Sequence, residues 1–187
     1  MLTLRCTQKL LKKNPGPPNS HQDALVPTLG GWHANLIRLA SSPIVLCVND
    51  VSLLSVLIPG RNFPNLVSAF RDRLSERLSR MGLPQDTILE ERAAMEIVRV
   101  LPTDSKSVLG SMNDFVKHLK WKVTTLGTRF NFLDADRLED MLSEIPMGPL
   151  KYEYPVEVAA AAFGLERKAS RLDRWATTFI EEHGLIS

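Results

Sequence analysis

The chain opens with a short alternation, Leu2 and Leu4 on one side and Thr3 and Arg5 on the other, the period-two signature of a strand over residues 2–5. A helical turn follows over 7–13, with Thr7 in position to cap it. Prolines and glycine in Asn14-Pro15-Gly16-Pro17-Pro18-Asn19-Ser20 then forbid both helix and ladder, which predicts a loop. Trp32-His33-Ala34-Asn35-Leu36-Ile37-Arg38-Leu39 alternates in part and carries strand formers. Residues 44–48 and 52–58 predict two more strands, joined at Asn49-Asp50, and an antiparallel meander is the simplest topology.

From Phe63 the period changes to three and four. Phe63, Leu66, Val67, Phe70, Leu74, Leu78 and Met81 make one face of a helix that Gly82 ends, and its other face carries Arg71, Arg73, Arg77 and Arg80. Glu76 and Arg80 stand in the favourable i, i+4 order, which predicts a solvated, ion-paired face. A helix over 84–93 and a strand over 97–101 come next. Leu109, Met112, Val116, Leu119 and Val123 give a further helix its apolar stripe, and Leu138, Met141, Leu142 and Ile145 mark a shorter one. The acids around Asp134, Asp136, Glu139 and Asp140 predict charge complementation of that helix's start. Two helices, over 155–163 and 165–183, complete the chain. The expected fold is α+β: an antiparallel sheet of about four to five strands packed against amphipathic helices. Residues 1–150 form the expected core domain and 151–187 a helical extension packed on it.

Composition changes this picture little. At 187 residues and 44% hydrophobic the chain can bury one good core. Lys and Arg total 23 against 21 Asp and Glu, a net charge of +2 that does not announce a nucleic-acid binder, so any phosphate surface must come from local clustering. Cys6 and Cys47 are far apart and lack metal-ligand spacing, which predicts free thiols in a reducing cytoplasm, with no metal and no cofactor. The apolar run from 43 to 58 is cut by Asn49-Asp50, and the N-terminus has no apolar leader core, so no membrane association is expected.

Candidate chemistry concentrates in residues 103–115, Thr-Asp-Ser-Lys-Ser-Val-Leu-Gly-Ser-Met-Asn-Asp-Phe, where hydroxyls, an amide, a carboxylate, a lysine and a glycine surround a helix start. If Asp104 or Ser105 caps the helix, Gly110 lies one turn inside and calls for close packing to justify it; Lys106, Asn113, Lys117 and Lys120 then share a face. If Ser111 caps it, Asp114 completes a capping box and Gly110 lies outside. The first register fits the apolar spacing better. Among the histidines, His33 is the strongest catalytic candidate because Trp32 and Asn35 flank it, and a Cys6, His33, Cys47 metal site would require particular strand pairing.

The segments Met1-Leu2-Thr3-Leu4-Arg5-Cys6-Thr7-Gln8-Lys9-Leu10-Leu11-Lys12, Trp32-His33-Ala34-Asn35-Leu36 and Ser105 through Phe115 together resemble an uncharacterised bacterial domain-of-unknown-function family, over roughly the first 150 residues. Members of that family sometimes stand beside plasmid open-reading-frame-like domains. The resemblance implies weight for Lys9, Trp32, Asn35, Asn49 and the central motif, with Asp104 standing where asparagine is common. It implies no activity.

Three functions fit these readings. The first is a cytoplasmic binding module of a mobile-element, defence or toxin-antitoxin type system. It would recognise nucleic acid or another phosphorylated ligand near the central helix start, with Lys9, Asn35, Lys106, Ser107, Ser111 and Asn113 converging on one cleft and Ser105 a further candidate ligand-binding residue. The second is a metal-independent hydrolase, such as an RNase-like toxin, using His33 with Lys9 or Asp114. The third is an interaction component, an antitoxin or adaptor that docks a partner protein through Trp175, Phe179 and Ile180.

Overall fold

A computed structural model describes residues 1–13, 25–60, 65–125 and 135–165. Among these, five strands and six α-helices follow in the order β1 (Leu2–Cys6), α1 (Gln8–Leu11), β2 (Trp32–Leu39), β3 (Ser42–Asn49), β4 (Ser55–Pro59), α2 (Leu66–Arg80), α3 (Gln85–Ala94), β5 (Val98–Pro102), α4 (Lys106–Thr125), α5 (Ala135–Ser143) and α6 (Pro155–Ala162). The strands form one sheet ordered β4-β3-β2-β1-β5. The expected meander holds for β2, β3 and β4, which pair antiparallel. The sheet as a whole is mixed, however, because β1 pairs parallel with both β2 and β5. Alternation in a five-residue strand reports that one face is buried and says nothing of the partner's direction.

That alternation divides the chain between two cores. Leu2, Leu4 and Cys6, Trp32, Ala34 and Leu36, Val45 and Cys47, and Val56 and Ile58 face one side, against Phe70, Leu74 and Leu78 of α2, Ile88 of α3, Leu10 of α1 and Ala159 of α6. Ile37 and Leu39, Ile44, Leu46 and Val48, and Leu57 face the other, against Met112, Phe115 and Leu119 of α4 and Leu138 and Leu142 of α5. The sheet is therefore sandwiched between two helical layers. On α4 the buried stripe is Val108, Met112, Phe115, Leu119 and Val123; Leu109 and Val116 flank it half-buried. Ala159 is fully buried, so the start of the C-terminal extension belongs to the core packing, while the second expected tail helix, with Trp175, Phe179 and Ile180, lies outside the described residues. No helix among the described residues is long and apolar enough to cross a membrane.

The basic face of α2 and the acidic segment of α5 complete each other. Arg73 reaches Asp136 and Glu139 at 2.8 Å, Arg80 pairs with Asp136 and Glu139, and Arg77 pairs with Asp140 and donates to Ser143 Oγ at 2.6 Å. Glu76 pairs with Arg73 at 2.7 Å rather than with Arg80. Glu139 is fully buried, and its Oε1 accepts the backbone N–H of Leu57 at 2.8 Å. Leu57 lies on the edge strand β4, so this carboxylate caps one of the unpaired donors that an open sheet edge presents. Two guanidiniums make the burial of its charge tolerable.

Glu139→Ala removes the acceptor of the Leu57 N–H and takes from Arg73 and Arg80 a fully buried anionic partner, leaving them the half-exposed Asp136; we expect a loss of about 3 kcal/mol in urea unfolding. Glu139→Gln, which keeps an acceptor, is expected to lose less.

Candidate functional site

β1 and β5 are parallel neighbours whose continuations leave the sheet on opposite faces: α1 buries Leu10 in the first core and α4 buries Val108 and Met112 in the second. In α/β sheets such a divergence opens a crevice at the carboxyl ends of the strands. Here the chain fills it with its own charges. Arg5, on the side of β1 away from the first core, donates from Nη1 to Asp50 Oδ2 at 2.6 Å, and its Nε lies 3.2 Å from Asp104 Oδ1. His33, beside Arg5 in the parallel register, places Nδ1 2.7 Å from Thr103 Oγ1 and Nε2 3.3 Å from Asp50 Oδ1. That last contact is within ion-pair range but outside hydrogen-bond geometry, and the buried Asp50 Oδ1 has no hydrogen-bond partner.

The turn regions around this cluster are built to hold it. Asn49 is fully buried and saturated: Nδ2 donates to the carbonyls of Leu29 and Gly31 at 2.6 and 3.0 Å, and Oδ1 accepts Ser52 N and Oγ at 2.8 and 2.9 Å. Glu91 of α3 accepts the N–H groups of Thr28 and Leu29 at 2.6 and 3.1 Å, fixing the approach to β2. Gly31 leaves room for the pair, since a Cβ there would meet Asp50 Oδ2 and Arg5 Nη1 and displace them. The cluster thus ties β1, β2, the β3–β4 turn and the β5–α4 junction into one unit. Burial is the main influence on both titrating members: it lowers the His33 pKa from 6.5, with Asp50 opposing, and raises that of Asp50, with Arg5 opposing.

Several residues singled out by the sequence prove structural. Trp32 is buried against Phe70, ring centroids 5.0 Å apart and edge to face, so it is core and not a ligand contact. Asn49 likewise has no capacity left for a ligand. Thr7 does not cap α1 with its side chain; its hydroxyl donates to Asn35 Oδ1 at 3.0 Å, across to β2. Cys6 and Cys47 are free and buried in the first core, with burial pushing the Cys6 thiol up to about 12, while His33 points to the other side of the sheet; the three form no metal set. His33, only 1% exposed, is enclosed by Thr103 and Asp50. Asp114 pairs with Lys117 at 2.9 Å on the exposed side of α4, so the two catalytic candidates do not meet.

The central motif does border open space. Ser105 is the cap: Val108 N–H donates to its Oγ at 3.3 Å and Leu109 N–H to its carbonyl at 3.1 Å. Ser111 lies inside the helix, its hydroxyl donating to Ser107 O at 3.3 Å, which excludes the later register. A groove of about 420 Å³ runs along the helix, lined on the α4 side by Ser107, Gly110, Ser111, Asp114, Lys117 and His118 and on the other by residues 145–149, Ile-Pro-Met-Gly-Pro. A Cβ on Gly110 would touch nothing within 4 Å, so close packing does not account for this glycine. Of the six residues expected to converge, Ser107 and Ser111 line the groove; Lys9, Asn35, Lys106 and Asn113 do not. Lys9 is exposed on α1, and Lys106 and Asn113 are exposed on α4.

Because its folded pKa is depressed, His33 contributes stability that is complete above about pH 6.5 and is lost as the pH falls toward the folded value, where the unfolded chain takes the proton first. Urea midpoints measured from pH 7.5 to 5.5 are expected to fall, and His33→Gln to flatten that slope; an identical slope in both proteins would refute the assignment.

No curated protein and no solved structure matches the chain. The family comparison spans the sheet from Thr3 of β1 onward and the helices through the first half of α6. Residues 3–158 match the family model described as a domain of unknown function (DUF6933), and the chain belongs to that family.

Proposed function

We propose that the chain is a binding module that receives a phosphate-bearing ligand in the groove between α4 and residues 145–149. Gly110 is the observation that carries this reading. A glycine inside an exposed helix costs about 1 kcal/mol relative to alanine, and at Gly110 neither packing nor a left-handed backbone compensates. What the missing side chain leaves is space in the groove wall, between the hydroxyls of Ser107 and Ser111 and beside Lys117 and His118.

The lining suits an anion with an organic body. Ser107 lies in the first turn of α4, where the helix dipole is positive, and hydroxyls there supply donors and acceptors. Lys117 is held by an exposed pair with Asp114, side chains 78% and 56% accessible, which contributes little stability and yields readily to a phosphate. Ile145, Met147 and the prolines offer apolar surface opposite, the mixture of apolar wall and few polar groups typical of ligand sites.

Gly110→Ala separates ligand space from structure. It is expected to raise stability by about 1 kcal/mol, by improving helix propensity without a clash, while weakening or abolishing binding. Thermal shift of the wild-type chain against nucleoside mono- and triphosphates, sugar phosphates and inorganic phosphate at low salt supplies the binding readout. No shift with any of them, or an unaltered shift in Gly110→Ala, would overturn the reading.

A further inference from the structure

The solvent face of α4 continues beyond the groove. Trp121, 65% exposed, stands three residues on from His118 and four on from Lys117, so it occupies the next turn of the same face. Lys106, Asn113, Lys117 and Lys120 recur at spacings of seven, four and three along one flank of that face, and all are exposed. From Lys106 to Thr125 the helix carries four lysines against one aspartate. From Ser107 to Trp121 the stripe runs about 21 Å at the helical rise.

An exposed indole framed by lysines, serines and an asparagine differs from a protein-docking surface, which would cluster apolar side chains around its aromatic anchor. It matches the two elements of single-strand recognition, an aromatic platform for a base and cations spaced along the backbone. A duplex keeps its base faces stacked inside and has none to offer the indole. We propose that α4 binds single-stranded nucleic acid, with one base stacked on Trp121, phosphates on Lys106, Lys117 and Lys120, and a nucleotide further along the same strand seated in the groove at Gly110. This rests on the groove reading and names its ligand.

The test uses the full chain and fluorescein-labelled twelve-nucleotide oligo-dT and oligo-U, with a hairpin duplex of equal charge as control, titrated by anisotropy over a salt series. The single strands are expected to bind more tightly than the hairpin. Trp121→Ala should weaken them roughly 5- to 100-fold, with Trp121→Phe retaining most of the affinity, since only stacking separates the two variants. Replacing Lys117 and Lys120 by glutamine should reduce the slope of log affinity against log salt by about 0.7 for each phosphate that is no longer neutralised. Equal binding of hairpin and single strand, or affinity unaltered in Trp121→Ala, would overturn the inference. If mononucleotides shift the wild type but not Gly110→Ala while Trp121→Ala changes nothing, the groove reading stands and the single-strand inference falls. If neither nucleotides nor oligonucleotides bind, both fall.

Discussion

The fold depends on how β1 is held. Its five residues must satisfy backbone donors and acceptors on both sides, and they do so by pairing parallel with a strand that begins at Trp32 and with another that begins at Val98. Leu2, Leu4 and Cys6 enter the first core, which forces Arg5 to the opposite face, where that strand's end is not closed by apolar packing. A guanidinium half-buried there requires anionic partners, and it finds them in Asp50 after β3 and Asp104 before α4. His33 and Thr103 complete the tie. Through Asp104 and Ser105 this network fixes where α4 begins, and so which of its faces is buried under the sheet and which is left to solvent.

A second charged network plays a comparable part at the other edge. The arginines of α2 lie over the first face and the acids of α5 over the second, and they meet around β4, where Glu139 takes up a backbone donor of the edge strand. Both networks consume charges that in isolation suggest chemistry. The sequence predicts an ion-paired face on the arginine-rich helix and charge complementation at the acidic helix start, and the structure makes the two segments each other's partners. Neither network draws on the outer face of α4, with its lysines, its open glycine and its exposed tryptophan.

The positions of the elements were legible in the sequence because strand and helix periods are local properties. Residues 2–6, 32–39, 66–80 and 106–125 fall close to their expected bounds for that reason. Pairing direction was not legible: Leu2 and Leu4 alternate identically in parallel and antiparallel ladders. The α4 register was half legible, since Val108 and Met112 pointed to the earlier cap while Leu109 and Val116 suggested a stripe rotated from the true one. The cluster at the sheet end escaped for a different reason. Arg5 and His33 each occupy the off-core phase of an alternating strand, a visible signal, but Asp50 and Asp104 become their partners only through the β1–β2 and β1–β5 registers. Trp32 and Asn49 show the converse, residues whose chemistry suggested a ligand and whose burial makes them structural.

Two places therefore compete for a ligand, the charged crevice at the ends of β1 and β5 and the outer face of α4, and we assign it to α4. An amide and indole correlation spectrum of the isotope-labelled chain, recorded as a short single-stranded oligonucleotide is added, separates them most directly. We expect shifts confined to the α4 face, at the amides of Lys106, Ser107, Gly110, Ser111, Asp114, Lys117, His118 and Lys120 and the indole of Trp121, with Arg5, His33 and Thr103 unmoved. Shifts concentrated at Arg5, His33, Asp50 and Thr103, with the α4 face silent, would contradict that assignment.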